Sequence, residues 1–423
     1  MTNSCSEPTA LTIHLAERNR PDDLTTHDSA PVGCVLHFLL SPIGDPNSRP
    51  DMQIHSFSSF ADLEPIRDQW NQLAGDVPFN RFEWHQCWWQ FFGDSANSER
   101  ELFVVVATDD AGRVAAIAPW YRQQCGTRGR VVRFLATHPT RPIHSTVIAR
   151  SDTGTDTGTD TGTDTGTGTD TGGEALSAIG DWLESHSSQW DAIEFDGVTT
   201  DDCRLPTLIS SLAEEGTPLY RTVDNRRFRI PLPASWPQYV SGFAPATQLE
   251  LDRIVQGYVN EGRATFEVLT DPRVVLQQCG SVVDSRLCEY LCEATSQSEN
   301  VDLMALVLKL DGQLVATQLV LKSEQTWHRV FYAIHVENDR EVIDQLSMMT
   351  LVHMAIDRKL TQIDLVGCDP LDALAWQGER SNFIHLQLAA STVPHTPLMG
   401  LVFSNEGTAK NWCKTGMNIA GLH

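Results

Sequence analysis

The chain has 423 residues, 20% of them charged, a formal net charge of −24 and ten cysteines. That length is enough for two domains with buried cores. So acidic a balance speaks against a protein built to hold nucleic acid or an anionic membrane surface, and no apolar run reaches the roughly 18 residues a spanning helix needs.

Residues 1–51 are rich in Ser, Thr, Asp and Pro apart from VGCVLHFLL (32–40), and are expected to be a disordered N-terminal extension. The opening MTNSCSEPTALTIHLAERNR has no cationic stretch ahead of a long apolar core, so a cytoplasmic protein is expected. The folded part is expected to start near Met52. FADLEPIRDQWNQLAG (60–75) places Leu63, Ile66, Trp70 and Leu73 at helical spacing with Gly75 as a stop. PFNRFEWHQCWWQFFG (78–93) is dense in aromatics, which predicts a core anchor or the wall of a pocket. LFVVVATDDAGRVAAIAPWY (102–121) reads as a hairpin and RVVRFLATH (130–138) as a further strand.

Residues 151–173 repeat Asp, Thr and Gly. They offer nothing apolar to offset the entropy of ordering, and their spacing fits neither an EF-hand nor a glycine-rich calcium repeat. A solvated loop is expected there, followed by helix EALSAIGDWLESH (174–186), strand WDAIEFDG (190–197) and helix RLPTLISSLAEEG (204–216). RTVDNRRFRIPLP (221–233) gathers Arg221, Arg226, Arg227 and Arg229. It is either an anion site or a strand whose arginines pair with neighbouring carboxylates. TQLELDRIVQGYVNEG (247–262) is predicted to be a helix. The tail from Thr392, with Pro394 and Pro397, has no clear assignment.

The most informative stretch runs from Leu303 to Cys368. LMALVLKL and QLVATQLVL flank the turn pair Asp311-Gly312, a strong hairpin signal. WHRVFYAI (327–334) is a third strand, IDQLSMMTLVHMAIDRKL (343–360) a helix and TQIDLVGC (361–368) a buried strand. The upstream hairpin echoes this one with Gly112 over Gly312, and Gly197 falls over Gly367. The pattern therefore predicts two copies of one α/β unit. The cysteines form no Cys-x-x-Cys pair; Cys288 and Cys292 are four apart on a predicted helix, and packing as reduced apolar side chains is expected, with no metal site. No Gly-x-Ser-x-Gly, P-loop, dinucleotide fingerprint or His-Glu-x-x-His motif occurs, so hydrolase, NTPase, dehydrogenase and zinc-protease readings lack support.

From Phe60 to Trp376 the order of segments resembles the CelD-like branch of the GNAT acyltransferases. The likeness rests on WNQLAGDVPFNRFEWHQCWWQFF, the hairpin ending AAIAPWY, the arginine-rich lead into IPLPASWPQYV, LDGQLVATQLVL and QIDLVGCDP. It implies an α/β fold of two tandem GNAT-like units, each a mixed, mostly antiparallel sheet flanked by helices. The first would span 52–225 and the second, the acyltransferase domain, 226–423. It also implies acetyl-CoA or another acyl-CoA as co-substrate and an amine, small-molecule or saccharide, as acceptor.

By that resemblance the strand WHRVFYAIH would splay from its neighbour, Ala333 and Ile334 holding the pantetheine. VENDREVIDQLS (336–347), with Arg340, Gln345, Leu346 and Ser347, would cradle the pyrophosphate. Two departures stand out. Asp344-Gln345-Leu346 replaces the Ser-Pro-Gly that relatives tend to have at the helix start, and Leu371-Asp372 replaces their Tyr-Lys. Glu337, Asp339, Glu341 and Asp344 would oppose an anionic cofactor. The candidate catalytic groups are His335 as base, Asp364 to orient the amine and Tyr332 as donor, with Gln318 and His353 nearby. A catalytically degenerate binding or scaffold protein is the main alternative, and a Fem-type aminoacyl-tRNA-dependent transferase a weaker one.

Overall fold

In the computed structural model the described residues are 52–389, apart from 76, 94–98, 138–139, 141–142, 151–170, 201, 203, 213–218, 224–225, 280–283, 299–300 and 324. The expected N-terminal extension, almost all of the Asp-Thr-Gly loop and the C-terminal tail lie outside them.

The first half opens with strand β1 (Gln53–Phe57) and helices α1 (Arg67–Ala74) and α2 (Phe82–Trp88). Strands β2 (Arg100–Leu102), β3 (Val104–Thr108), β4 (Val114–Ala118), β5 (Trp120–Gln124), β6 (Arg130–Phe134) and β7 (Ile148–Ala149) follow. Next come α3 (Thr171–Ser185), β8 (Ala192–Thr199), α4 (Arg204–Leu212) and β9 (Leu219–Val223). Helix α3 takes in 171–173, so its first turn is built from the end of the segment expected to be loop.

The second half begins with β10 (Arg227–Pro231), α5 (Trp236–Ser241), α6 (Pro245–Ile254) and β11 (Ala264–Leu269). It continues through α7 (Pro272–Cys279), α8 (Ser285–Gln297), β12 (Val301–Leu310), β13 (Gln313–Ser323) and β14 (Thr326–Ile334). Helix α9 (Arg340–Asp357), β15 (Gln362–Val366), α10 (Pro370–Ala375), β16 (Glu379–Arg380) and β17 (Phe383–Ala389) complete it.

These strands form two equivalent sets. In the second, β11-β12-β13-β14-β15-β10-β16 makes one sheet, antiparallel except for the parallel step from β14 to β15. In the first, β1-β3-β4-β7 and β2-β5-β6-β8-β17-β9 share two ribbons, each bent once. The bends fall at Phe103, between β2 and β3, and at Pro119, between β4 and β5, where the missing N–H cannot extend a ladder. The step from β6 to β8 is again parallel and is again bridged by a helix, α3 in place of α9.

The predicted repeat is thus present as topology. Gly112 and Gly312 both turn a hairpin at positive φ (73° and 81°), and Gly197, late in β8, and Gly367, just after β15, match at 71° and 72°. The mixed, mostly antiparallel sheets flanked by helices match the expected fold class. Chain order and sheet membership differ at one place: β17, from the C-terminal stretch, pairs with both β8 and β9 of the first set.

Three apolar clusters hold the molecule. One lies between the first sheet and α3/α4, one between the second sheet and α6/α9, and one joins the two halves. The aromatic segment after residue 78 serves the third: Trp88 is fully buried against Tyr121, Phe82 packs edge-on to the fully buried Trp70, and Trp84 packs edge-on to Tyr290 at 5.6 Å. Cys87, Cys288, Cys292 and Cys368 are buried and outside any disulfide, as apolar packing requires. Arg229 pairs with Asp364, and buried Arg227 donates to the Ile143 carbonyl at 2.7 Å, so these two arginines of the basic segment serve the fold.

Helices α3 and α4 meet at Gly180, where an added Cβ would lie 2.6 Å from Ser211 Cβ and 2.8 Å from the Leu208 carbonyl oxygen. Gly180→Val is expected to cost roughly 1–3 kcal/mol by forcing the pair apart. Urea unfolding should show a lower midpoint at unchanged slope; an unchanged midpoint would mean that α4 yields freely.

Candidate functional site

The site arises where β14 and β15 diverge. Their parallel pairing runs from Thr326–Gln362 to Arg329–Leu365 and stops. Beyond it β14 stays with β13, up to Ile334 opposite Ala316, while β15 stays with β10, up to Val366 opposite Arg227. A bulge at Val330 sharpens the divergence, because Arg329 faces Val320 and Phe331 faces Leu319. The β14 edge over Val330–Ile334 that points away from β13 therefore has no strand partner among the described residues.

A cleft of about 360 Å³ occupies this opening. Its walls include Phe79 and Trp84 near α2, His144 from the loop before β7, Tyr290 on α8, Val330–Tyr332 of β14 and Leu365–Asp369 at the end of β15 and just beyond it. The cleft is lined from both faces of the second sheet. Phe331 packs in the cluster that joins the halves, whereas Tyr332 packs on the side of α9.

The charged groups of the cleft are Arg329, Asp344, Asp369 and Asp372. Arg329 is 6% exposed, its guanidinium sits 5.1 Å over the Tyr332 ring, and Nη1 lies 2.8 Å from the Met348 thioether sulfur. Burial lowers its pKa, while Cys368, Tyr332, Asp344 and Asp372 act the other way; a guanidinium nevertheless stays charged. Burial raises the pKa of the Tyr332 hydroxyl, with Asp344 adding to the effect, so it keeps its proton at neutral pH. Burial, then the charges of Asp344 and Asp369, raise Asp372, and Arg329 partly offsets them. His144 is held down to about 4, chiefly by burial, and is neutral.

Of the residues singled out in the sequence, Tyr332 lines the cleft, and Ala333 and Ile334 continue the unpaired edge beside it. His335 and Asp364 sit elsewhere. Asp364 lies at the closed end, 3.1 Å from His328 Nδ1 and 3.6 Å from Arg229 Nε. Burial works to raise its pKa, but the His328 hydrogen bond and the charges of His328, Arg229 and Arg227 leave it lowered. Its equivalent in the first half is Glu194, which bridges the other parallel step through Arg133.

His335 is seven residues along β14 from Asp364's partner His328, roughly 20 Å of strand. Its Nε2 meets Thr317 Oγ1 at 3.0 Å, and burial lowers its pKa. Gln318 points at α9, donating to the Ser347 carbonyl at 2.9 Å. His353 lies on α9, 3.2 Å from Asp357.

Helix α9 starts at Arg340, three residues before the predicted start at Ile343, with Asp339 as a left-handed cap at φ 57°. Ile343 N–H already donates to the Asp339 carbonyl at 2.9 Å. Gln345, Leu346 and Ser347 therefore lie in the second turn, their N–H groups inside the helix ladder; the open N–H groups are those of Arg340, Glu341 and Val342. Leu346 is fully buried in the α9 core.

Sequence reasoning missed Arg329, Asp369, Cys368 and the wall formed by His144 and Tyr290. Arg329 had a signal, a lone arginine amid the apolar and aromatic residues of WHRVFYAI. Cys368 and Asp369 close the QIDLVGCDP segment, which was singled out without a role for either, and His144 and Tyr290 come from distant segments and had no signal.

A mixed α/β protein with a splayed parallel strand pair opening on a cleft walled by α9 and α10 is the class that fold and site define. Residues 280–375, which carry β12 to α10, match the family model described as acetyltransferase (GNAT) domain. No curated protein matches the sequence. Among solved structures, the chain is similar to a tandem GNAT protein from the clavulanic acid biosynthesis pathway. Identity there is 12% with a TM-score of 0.42, over 81% of this chain and 100% of that one. FemX matches at 11% identity and TM-score 0.44, over 76% of this chain and 93% of that one. L-PGS from Bacillus licheniformis matches at 12% and 0.40, over 75% and 94%. Scores this low carry no inference about activity.

Among the described residues no helix is long and apolar enough to cross a membrane.

Proposed function

We propose that the second unit transfers an acyl group, such as acetyl, from an acyl-CoA thioester to an amine, as a member of the CelD-like branch. The observation that carries this is the splay: an unpaired β14 edge facing a cleft, inside the segment that matches an acetyltransferase domain. The free backbone groups of Val330–Ile334 suit the amides of a pantetheine arm. The N–H groups of Arg340–Val342 and the Arg340 side chain suit the pyrophosphate. The co-substrate supplies an activated acyl carbonyl. The amine nitrogen attacks that carbon and the C–S bond breaks. In this reading the Tyr332 hydroxyl gives its proton to the departing sulfur and regains one from solvent through the open cleft. The proton lost by the amine passes to the carboxylates of Asp344 and Asp372 and on to solvent. In this reading Asp364 clamps the closed end of the splay, and His335 stands outside the chemistry.

A non-catalytic binding module is favoured by one observation: the exposed Glu337, Asp339 and Glu341 crowd the open end of α9 and work against a pyrophosphate. Calorimetric titration with acetyl-CoA and a longer acyl-CoA separates the two. Micromolar binding is expected, weakened about tenfold or more by Val330→Trp, which fills the splay. Thiol release with a panel of amines should then fall about 10- to 100-fold in Tyr332→Phe with binding unchanged, and persist in His335→Gln. No binding by the unaltered protein overturns the acyltransfer reading in favour of the binding module.

A further inference from the structure

The acyltransfer reading leaves Arg329 without a task. Other deeply placed arginines of this molecule have a carboxylate or a carbonyl: Arg133 bonds Glu194 at 3.0 Å, and Arg227 donates to Ile143. Arg329 is as deeply placed, yet its contacts are a thioether sulfur and the face of Tyr332. Five N–H donors in a planar fork are poorly served by these two neighbours. The side chain lines the cleft, so its remaining donors open onto that space.

We infer that the cleft takes an α-amino acid as the amine acceptor, with Arg329 receiving its carboxylate. This rests on the acyltransfer reading only for the word acceptor; the pocket itself is argued from Arg329 and its surroundings. A guanidinium fork matches a carboxylate with two parallel hydrogen bonds. The neighbouring charges select the rest of the ligand. Asp344 and Asp372 lie near enough for their charges to act on Arg329, and both line the cleft. A doubly charged anion such as phosphate would be repelled by them. A zwitterion is not, because it sends its carboxylate in to Arg329 and leaves its ammonium beside Asp344 and Asp372. That places the nucleophilic nitrogen, once deprotonated, near Tyr332. Phe79, Trp84 and Tyr290 offer apolar surface for the amino-acid side chain.

The test is calorimetric titration of the full chain, with no coenzyme present, using matched pairs that differ only in the carboxylate: L-phenylalanine against phenethylamine, and L-leucine against isoamylamine. The unaltered protein is expected to bind each acid about 10- to 100-fold tighter than its amine. Arg329→Gln should erase that preference, and Arg329→Lys should keep some of it. Without ligand, Arg329→Gln should melt at the same temperature or higher, since the guanidinium gives up no ion pair.

Equal binding of acid and amine, or a preference that survives in Arg329→Gln, overturns the inference. So does a variant that melts several degrees lower or does not fold, because Arg329 would then be a structural ion. A separate titration with succinyl-CoA and acetyl-CoA covers the other source of a carboxylate. An Arg329-dependent preference for succinyl-CoA, with amino acids silent, would move the anchor to the donor and also overturn it. Because the amino-acid titrations contain no coenzyme, failure of acyl-CoA to bind counts against the acyltransfer reading alone.

Discussion

Glu194→Ala is expected to lower stability by about 3–5 kcal/mol, the largest single loss foreseen for this molecule. Glu194 is 6% exposed at the centre of the first sheet, where it accepts from Arg133 Nε at 3.0 Å and also pairs with Arg128. Burial alone would push Arg133 toward its neutral form, but the hydrogen bond and charge of Glu194 hold its pKa above the ordinary value. Removing the carboxylate leaves the largely covered Arg133 guanidinium, at the parallel step between β6 and β8, with its charge uncompensated and the neutral Gln123 Oε1 at 2.8 Å as its side-chain acceptor. Glu194→Gln keeps an acceptor oxygen and should lose clearly less. Urea unfolding decides it: a loss under about 1 kcal/mol for the alanine variant would mean that water reaches Arg133 and the pair resembles a surface one.

The second large effect is a pH dependence centred on His85. This α2 side chain is 3% exposed beside Trp70, and neither ring nitrogen has a hydrogen-bond partner among the described residues. Burial holds its pKa down to about 3, against 6.5 in an unfolded chain. Between those values the unfolded chain binds a proton that the folded one refuses, so stability falls as pH drops below 6.5. At pH 4.5 the loss from His85 alone is on the order of 3 kcal/mol. His144, also depressed by burial, adds to it in the same direction. His385 works the opposite way. Burial opposes its charge, but Asp196 outweighs that and raises its pKa, so its contribution is complete below pH 6.5 and fades as pH rises through the raised value.

His85→Leu removes a buried polar ring without a partner. It should leave stability at pH 7 unchanged or higher and flatten the melting-temperature profile between pH 6.5 and 4.5 by one proton. An unchanged slope in the variant would show that His85 titrates normally in the folded protein.

Much of the site's location was legible in the chain, and much of its chemistry was not. The turn Asp311-Gly312 and the apolar runs around it determine a hairpin locally, because positive φ at both turn positions suits few other pairs. The echo of that hairpin upstream announced the second copy. Tyr332 falls beside the opening because it lies past Arg329, where the pairing of β14 with β15 ends; the sequence pointed to it only through the family resemblance. Helix α9 begins three residues before its apolar pattern does, since the left-handed cap at Asp339 has no sequence signature as strong as glycine. In the sequence Asp364 is a mid-strand acid that could either orient an amine or bond a neighbouring group. Only its cross-strand neighbours His328 and Arg229, distant in sequence, show that its oxygens are occupied.

Local periodicity, turn chemistry and composition were therefore sufficient for an α/β fold and the doubling of its unit, because each depends on residues close together in the chain; the strand that opens the cleft was pointed to only by the family resemblance. Which charges share the cleft was decided by the tertiary structure alone. Arg329, Asp344 and Asp372 converge because a bulge at Val330 and the loss of pairing after Leu365 separate β14 from β15 in front of α9 and α10. A buried arginine signals a ligand only once its neighbours in space are known.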